Sequence, residues 1–166
     1  MLKQMLPEQE EPVGVLLAAV RRRIRQVVRA EAGGHRLSPQ QFWSLVGIDE
    51  AGPLSLGALA DRLRMDQPTA SRVVATLTKR KLIRMAEDPA DRRRLVIDTT
   101  REGADLAARI RPIARDLREA LVTGFTPAEV AALRGALLKI VGNLDRFEAR
   151  RARRPVRAAQ APEENA

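Results

Sequence analysis

The 166-residue chain has no cysteine and no tyrosine, and only one histidine, one tryptophan and three phenylalanines. Each absence excludes a chemistry. Without cysteine there are no disulfides, no thiolate metal ligands and no thiol-based redox sensing. The single histidine, His35, adjoins Gly33-Gly34 and reads as a solvated loop residue, so no metal site is expected. So few aromatics leave almost no platform on which single-stranded bases could stack. Long apolar runs are missing too. The longest near the N-terminus, Val13 to Val20, is far short of a membrane span and precedes Arg21-Arg22-Arg23, the reverse of a signal peptide's order. The expected location is therefore the cytoplasm. No nucleophile–base pair, Gly-rich phosphate loop or paired carboxylates are visible, so the expected chain is not an enzyme and has no catalytic residue and no cofactor.

What the chain does have is positive charge, a formal +9. Such an excess implies a polyanionic partner, either nucleic acid or an anionic membrane surface, and the lack of any spanning segment disfavours a membrane. The length suits one domain with a genuine core and leaves no room for a second catalytic domain.

Residues 1–12, with Pro7, Pro12 and Glu8, Glu10 and Glu11, read as a flexible arm. Apolar positions 13, 16, 17, 20, 24, 27 and 28 predict an amphipathic helix over 13–31, ended by Gly33-Gly34. Ser38-Pro39-Gln40-Gln41 is a capping-box start for a second helix running to about Glu50. Ser55 caps a third helix, with Leu56, Leu59, Ala60 and Leu63 inward. A two-residue step then leads to Asp66, the cap of a fourth helix that continues to about Arg80. Leu82–Glu87 and Leu95–Thr99 read as strands flanking a basic turn at 88–94. Thr100 caps a long fifth helix, in which Pro112 predicts a kink. Thr126 and Glu129 form another capping box, followed by a heptad-like seam at Val130, Leu133, Leu137, Ile140, Leu144 and Phe147. Residues 151–166 lack periodicity and read as a disordered tail. The fold class is therefore mainly α with a small β-wing, a winged helix-turn-helix at about 53–100 inside a domain of 13–150.

On a helical wheel of the fourth helix, Ala70, Val73, Val74 and Leu77 fall on one side. Pro68, Arg72, Ala75 and Lys79 lie opposite, flanked by Thr69, Ser71 and Thr76. Small residues around one arginine let a helix approach base edges, where Arg can bind guanine O6 and N7 together. Gln67, Thr69 and Ser71 sit in the first turn, where hydroxyls and free N–H groups suit phosphates. The bland alternative is a solvated helix face. In the turn, Asp91 can pair with Arg93 and brace Arg92 and Arg94 outward, as suits a narrow minor groove. Across residues 62–94 there are ten Arg or Lys and four Asp or Glu, a net of +6, so the charge is concentrated where the motif needs it. The expected DNA-binding set is Gln67, Pro68, Thr69, Ser71, Arg72, Thr76, Lys79, Arg92, Arg93 and Arg94.

The run from Leu37-Ser38-Pro39-Gln40-Gln41-Phe42 to Thr100-x-x-Gly103 resembles the MarR family of bacterial transcriptional regulators. Its specific parts are Leu59-Ala60-x-x-Leu63, Thr69-Ala70-Ser71-Arg72-Val73-Val74-x-x-Leu77 and Asp88-Pro89-x-Asp91-Arg92-Arg93. The resemblance implies a homodimer, with dimerisation helices at about 13–31 and 101–150, reading a pseudo-palindromic operator in double-stranded DNA as a nucleoid-associated, cytoplasmic repressor. Apolar stripes at both ends of the chain agree, since each needs a partner to bury it. It also implies release by a small anionic or aromatic effector, with Arg23, Phe42 and Trp43 as candidate pocket residues; for Trp43 the competing reading is a core tryptophan. Two positions depart from the family pattern. Lys81 stands where a glycine usually ends the recognition helix, so a different helix end is expected, and Thr99 replaces a leucine. The rival function from another class is a winged-helix protein-interaction module that uses its basic face on an acidic partner.

Overall fold

The computed structural model describes residues 11–88, 91 and 94–152. Most of the N-terminal arm and of the C-terminal tail expected above lies outside these residues. The chain divides into two compact units, residues 1–118 and 119–166. The elements are α1 (Val13–Ala32), α2 (Pro39–Ala51), α3 (Leu56–Leu63), α4 (Gln67–Lys79), β1 (Ile83–Glu87), β2 (Leu95–Thr99), α5 (Arg101–Ala120) and α6 (Pro127–Ala152). The first unit carries α1 to nearly all of α5, and the second carries α6.

Caps start the helices where the sequence supplies them. At α2, Ser38 Oγ accepts from the Gln41 N–H at 3.3 Å while Gln41 Oε1 accepts from the Ser38 N–H at 2.9 Å. Ser55 caps α3 and Asp66 caps α4, taking the N–H groups of Ala58 and Thr69. Thr126 and Glu129 close the box at α6.

The helices end within a residue of where the sequence places them, but the turns that close them are not announced by their residue types. The first helix stops at Ala32, before Gly33-Gly34 as expected; the chain then tightens into a 3₁₀ turn over Gly33–His35 and turns away at Arg36, with φ +54°. Arg80 secures that turn, donating to the carbonyls of Arg36 at 2.8 Å and His35 at 3.2 Å. The two-residue step between Leu63 and the Asp66 cap turns on Arg64, whose φ of +51° lets the Met65 and Arg64 N–H groups bond back to Ala60 and Asp61. Lys81 does the same after α4. It keeps the left-handed conformation, φ +58°, while Leu82 N–H bonds to the Leu77 carbonyl at 3.0 Å and Lys81 N–H to that of Thr78 at 2.8 Å. The expected departure at this helix end does not occur; the lysine accepts a cost of about 1 kcal/mol instead.

Phe42, Leu45 and Ile48 of α2, Leu59 of α3, Leu77 of α4, Ile83 and Ile97 of the hairpin and Ile110 of α5 are almost wholly buried in one cluster. Each contributes roughly 1.5–3 kcal/mol through burial. The hairpin is antiparallel, in register from Ile83 opposite Thr99 to Glu87 opposite Leu95. A feature absent from the sequence reading ties it down: Leu54 exchanges two backbone hydrogen bonds with Ile97, at 3.1 and 2.8 Å, so the residue before the α3 cap pairs with the wing. Helix α5 continues through Pro112 as one element.

The start of α5 is seated on the end of α4. Thr100 Oγ1 donates to the Lys81 carbonyl at 2.6 Å and accepts from the Gly103 N–H at 3.1 Å, while Thr100 N–H donates to the Leu82 carbonyl at 3.1 Å. Gly103 permits this contact, since a Cβ there would stand 1.7 Å from the Leu82 carbonyl oxygen. Gly103→Ala is therefore expected to lower the free energy of unfolding by at least about 3 kcal/mol in urea titration. A neutral result would show that α5 does not sit on Leu82. Lys81→Gly is expected to raise stability by about 1 kcal/mol in the same measurement, by relieving the left-handed lysine.

Candidate nucleic-acid interface

Helix α4 separates its two faces cleanly. Ala70, Val73, Val74 and Leu77 are buried, whereas Gln67, Pro68, Ser71, Arg72, Ala75, Thr76 and Lys79 are exposed and Thr69 is half-buried. Packing alone orients the polar side outward.

Arg72 lies back along its own helix. Its Nε donates to the Pro68 carbonyl at 3.3 Å and an Nη to Thr69 Oγ1 at 3.1 Å. A guanidinium has five N–H donors, so most of its capacity stays available for an anion or a base edge. Thr76 commits its proton to the Arg72 carbonyl at 2.9 Å and therefore presents an acceptor outward. The first turn of α4 corrects one expectation. Thr69 N–H is taken by the Asp66 carboxylate at 2.6 Å, Ala70 N–H by the Asp66 carbonyl, and Pro68 has none, so free backbone donors are few and the side chains must carry any phosphate contact. Hydrogen bonds from Thr69 also hold the Asp66 carboxyl below the usual carboxylate range.

Thr69, Arg72 and Thr76 share a polar cleft of about 430 Å³ with Ser38, Gln40 and Gln41 from the start of α2. These three α2 residues were absent from the sequence-derived set. Their signal was the capping box, which places the start of α2 but does not say that it abuts α4. Gln67, Pro68, Ser71 and Lys79 lie on α4 outside that cleft.

The wing turn is closed by backbone bonds: Asp91 N–H to the Asp88 carbonyl at 3.1 Å, Arg94 N–H to that of Asp91 at 2.9 Å, and Asp88 N–H to that of Arg94 at 2.9 Å. Arg94 is exposed. Arg92, Arg93 and the brace expected between Asp91 and Arg93 lie outside the described residues.

A second cleft, of about 530 Å³, is lined by Leu17, Val20 and Ile24 of α1, Trp43 of α2 and Leu63 of α3, with cations from Arg21, Arg25, Arg62 and Arg64. Of the expected effector residues only Trp43 lines it. Phe42 is wholly buried and meets Trp43 edge-on at 5.1 Å, so it supports the ring from behind. Arg23 is exposed and is not part of the lining, because Arg21 and Arg25 occupy the helical positions that face it. No group of three or more metal-binding side chains occurs among the described residues, and no helix there is long and apolar enough to cross a membrane.

Comparison with known proteins agrees with this geometry. A family model described as MarR family matches residues 35–94. The HTH-type transcriptional repressor NicR of Pseudomonas putida is 30% identical over 131 residues, covering 79% of this chain and 83% of the relative. The chain belongs to the MarR family.

Among solved structures, Bordetella bronchiseptica BpsR, whose DNA binding is regulated by 6-hydroxynicotinic acid, is 30% identical with a TM-score of 0.65 over 79% of this chain and 94% of its own. Staphylococcus aureus MepR in its DNA-binding conformation shares the fold, with a TM-score of 0.71, 21% identity and coverage of 81% and 99%. The MarR-family chain is thus a DNA-binding transcriptional regulator with a winged helix-turn-helix fold, in a family of regulators rather than of enzymes.

Around the module, carboxylates of α2 hold α5 and α3. Glu50 accepts two hydrogen bonds from Arg118, at 2.7 and 3.1 Å, and lies 3.7 Å from Arg62, while Asp49 pairs with Arg111. The hydrogen bonding from Arg118 holds the Glu50 carboxyl below its ordinary 4.5, against partial desolvation, and the charges of Arg118, Arg62 and Arg111 add to the lowering. A lowered carboxylate stabilises the fold fully above its ordinary value and loses that contribution as pH falls through the lowered one. Chemical unfolding is accordingly expected to become easier below about pH 4.5, with Glu50→Gln removing part of the slope. A slope unchanged in that variant would contradict the role given to the pair.

Proposed function

We propose that this MarR-family regulator represses transcription by binding a pseudo-palindromic operator as a homodimer, with α4 in the major groove and the wing at the minor groove. The single observation that carries this reading is the outward face of α4, where Arg72 stands exposed among Thr69, Ser71 and Thr76 beside a polar cleft. Arg72 and the Thr69–Ser71 turn read base edges and phosphates, with Gln67, Pro68, Thr76 and Lys79 alongside. Ser38, Gln40 and Gln41 join them at the phosphates, and Arg92, Arg93 and Arg94 contact the narrow groove, with Asp91 bracing the wing.

Unburied apolar faces support the dimer. No residue of α6 is buried, and Leu133, Leu137, Leu138, Val141, Leu144 and Phe147 are between 39% and 57% exposed. On α1, Val13, Leu16, Val20 and Val27 are likewise exposed. Rows of this kind on two helices are covered when a second copy supplies the same surface. A dimer sets two α4 helices at a fixed separation, about 34 Å for half-sites one turn apart, and an occupied operator excludes polymerase.

The cleft around Trp43 is the effector site in this reading, suited by its aromatic wall and arginines to a planar organic anion such as the one that regulates the Bordetella relative. Its occupation shifts the half-site spacing and releases DNA. The protein acts in the cytoplasm, at the nucleoid. An acidic protein partner for the same basic face is the less favoured reading, since the relatives are transcriptional regulators.

Arg72→Ala is expected to weaken operator binding by about 1–3 kcal/mol with little change in salt dependence, whereas Arg94→Ala should flatten the salt slope and weaken all duplexes alike. Titrations at several salt concentrations, against operator and random duplex, separate the two. An unchanged footprint for Arg72→Ala would mean that α4 lies in another orientation, and no binding of either duplex at low salt would favour the acidic-partner reading.

A further inference from the structure

Trp43, Gly47 and Glu50 recur at helical spacing on one side of α2. Two arginines lie along that side. Arg118 of α5 stands 5.6 Å from the Trp43 ring centroid and donates two hydrogen bonds to Glu50. Arg62 of α3 crosses over Gly47, its Nε only 3.9 Å from where a Cβ would stand, and reaches Glu50 at 3.7 Å. Glu50 thus has one tight partner and one loose partner, and the loose one also lines the cleft beside Trp43. A nitrogen–oxygen separation of 3.7 Å is beyond hydrogen-bond range, so this pair is weak. No residue lining the cleft is acidic, so a carboxylate arriving there meets only cations: Arg21, Arg25, Arg62 and Arg64.

We propose that Arg62 recognises the carboxylate of an aromatic acid in the Trp43 cleft by leaving Glu50 for it, and that this exchange is how occupancy is felt by the helix-turn-helix. The proposal rests on the effector reading above and names the residue that would transmit it. Among the described residues, Arg62 is the one of these four arginines with a carboxylate to trade. The exchange also has a mechanical direction. Glu50 keeps both bonds to Arg118, so α2 stays fastened to α5, while the link between α2 and α3 opens. Helix α3 packs against α4, which carries the DNA-facing side chains, so a small shift of α3 is passed to α4. A ligand that gains a contact in only one of two arrangements shifts the balance toward it.

The test uses the full chain and its sole tryptophan, Trp43, as reporter. Emission is titrated with 6-hydroxynicotinic acid and with its uncharged amide, in the natural sequence and in Arg62→Ala, Glu50→Gln and the double variant. The acid should bind and the amide should not. Arg62→Ala should weaken acid binding roughly tenfold, the loss of a charge-assisted hydrogen bond. Glu50→Gln should tighten it by roughly threefold, because Arg62 no longer has to leave a carboxylate. The double variant should match Arg62→Ala. Opposite signs from the two ends of one ion pair are the signature, since a merely structural pair would weaken binding from either side. Weaker binding in both single variants would overturn the exchange while leaving the cleft as an effector site. No emission change and no calorimetric heat with the natural sequence would overturn the effector reading, and the exchange with it.

Discussion

The structure turns on the contact between Gly103 and the carbonyl of Leu82. A helix start can approach a backbone oxygen this closely only where no Cβ intervenes, and the position that a Cβ would take lies 1.7 Å from that oxygen. Several features depend on it. Leu82 follows Lys81, whose left-handed turn closes α4, and Thr100 binds the carbonyls of both residues. The recognition helix, the two strands of the wing and the start of α5 therefore meet at one joint, and the Leu54–Ile97 pairing adds the start of α3 to it. Helix α4 and the wing held this way keep their mutual geometry, as the proposed reading of both grooves at once requires.

Electrostatics divide the first unit in a complementary manner. Arg72 and Lys79 of α4 form no ion pair with a described residue, whereas Arg62 of α3 and Arg111 and Arg118 of α5 are tied to Asp49 and Glu50. Asp66 caps the start of α4 and takes up the Thr69 N–H, so the polar groups offered beside it are the side chains of Arg72 and of the neighbouring α2 start.

Much of this was legible in the sequence, for physical reasons that differ by element. Capping boxes at Ser38 and Thr126 and the caps at Ser55 and Asp66 are local hydrogen-bond patterns, so the helix starts follow from a few adjacent residues. The buried side of α4 follows from periodicity. The turns that close the helices were less legible, because Arg36, Arg64 and Lys81 take left-handed conformations that their residue types do not announce; tertiary bonds, such as those from Arg80 to the turn after α1, stabilise them. Leu54 pairing with Ile97, the cleft between α2 and α4, and the replacement of Arg23 by Arg21 and Arg25 all depend on contacts between residues distant in sequence. Phe42 and Trp43 are adjacent, yet one is core and the other lines a cleft. Hydrophobicity alone could not separate them.

In the proposed complex two copies of this chain present two α4 helices to one duplex. Selection of bound sequences from a random duplex pool tests it most directly, because the enriched sequences report base reading, symmetry and spacing together. A dimer of this kind enriches an inverted repeat whose half-site centres lie about one helical turn apart, roughly 34 Å. Enrichment of a single unrepeated motif, or no enrichment at all, would contradict it.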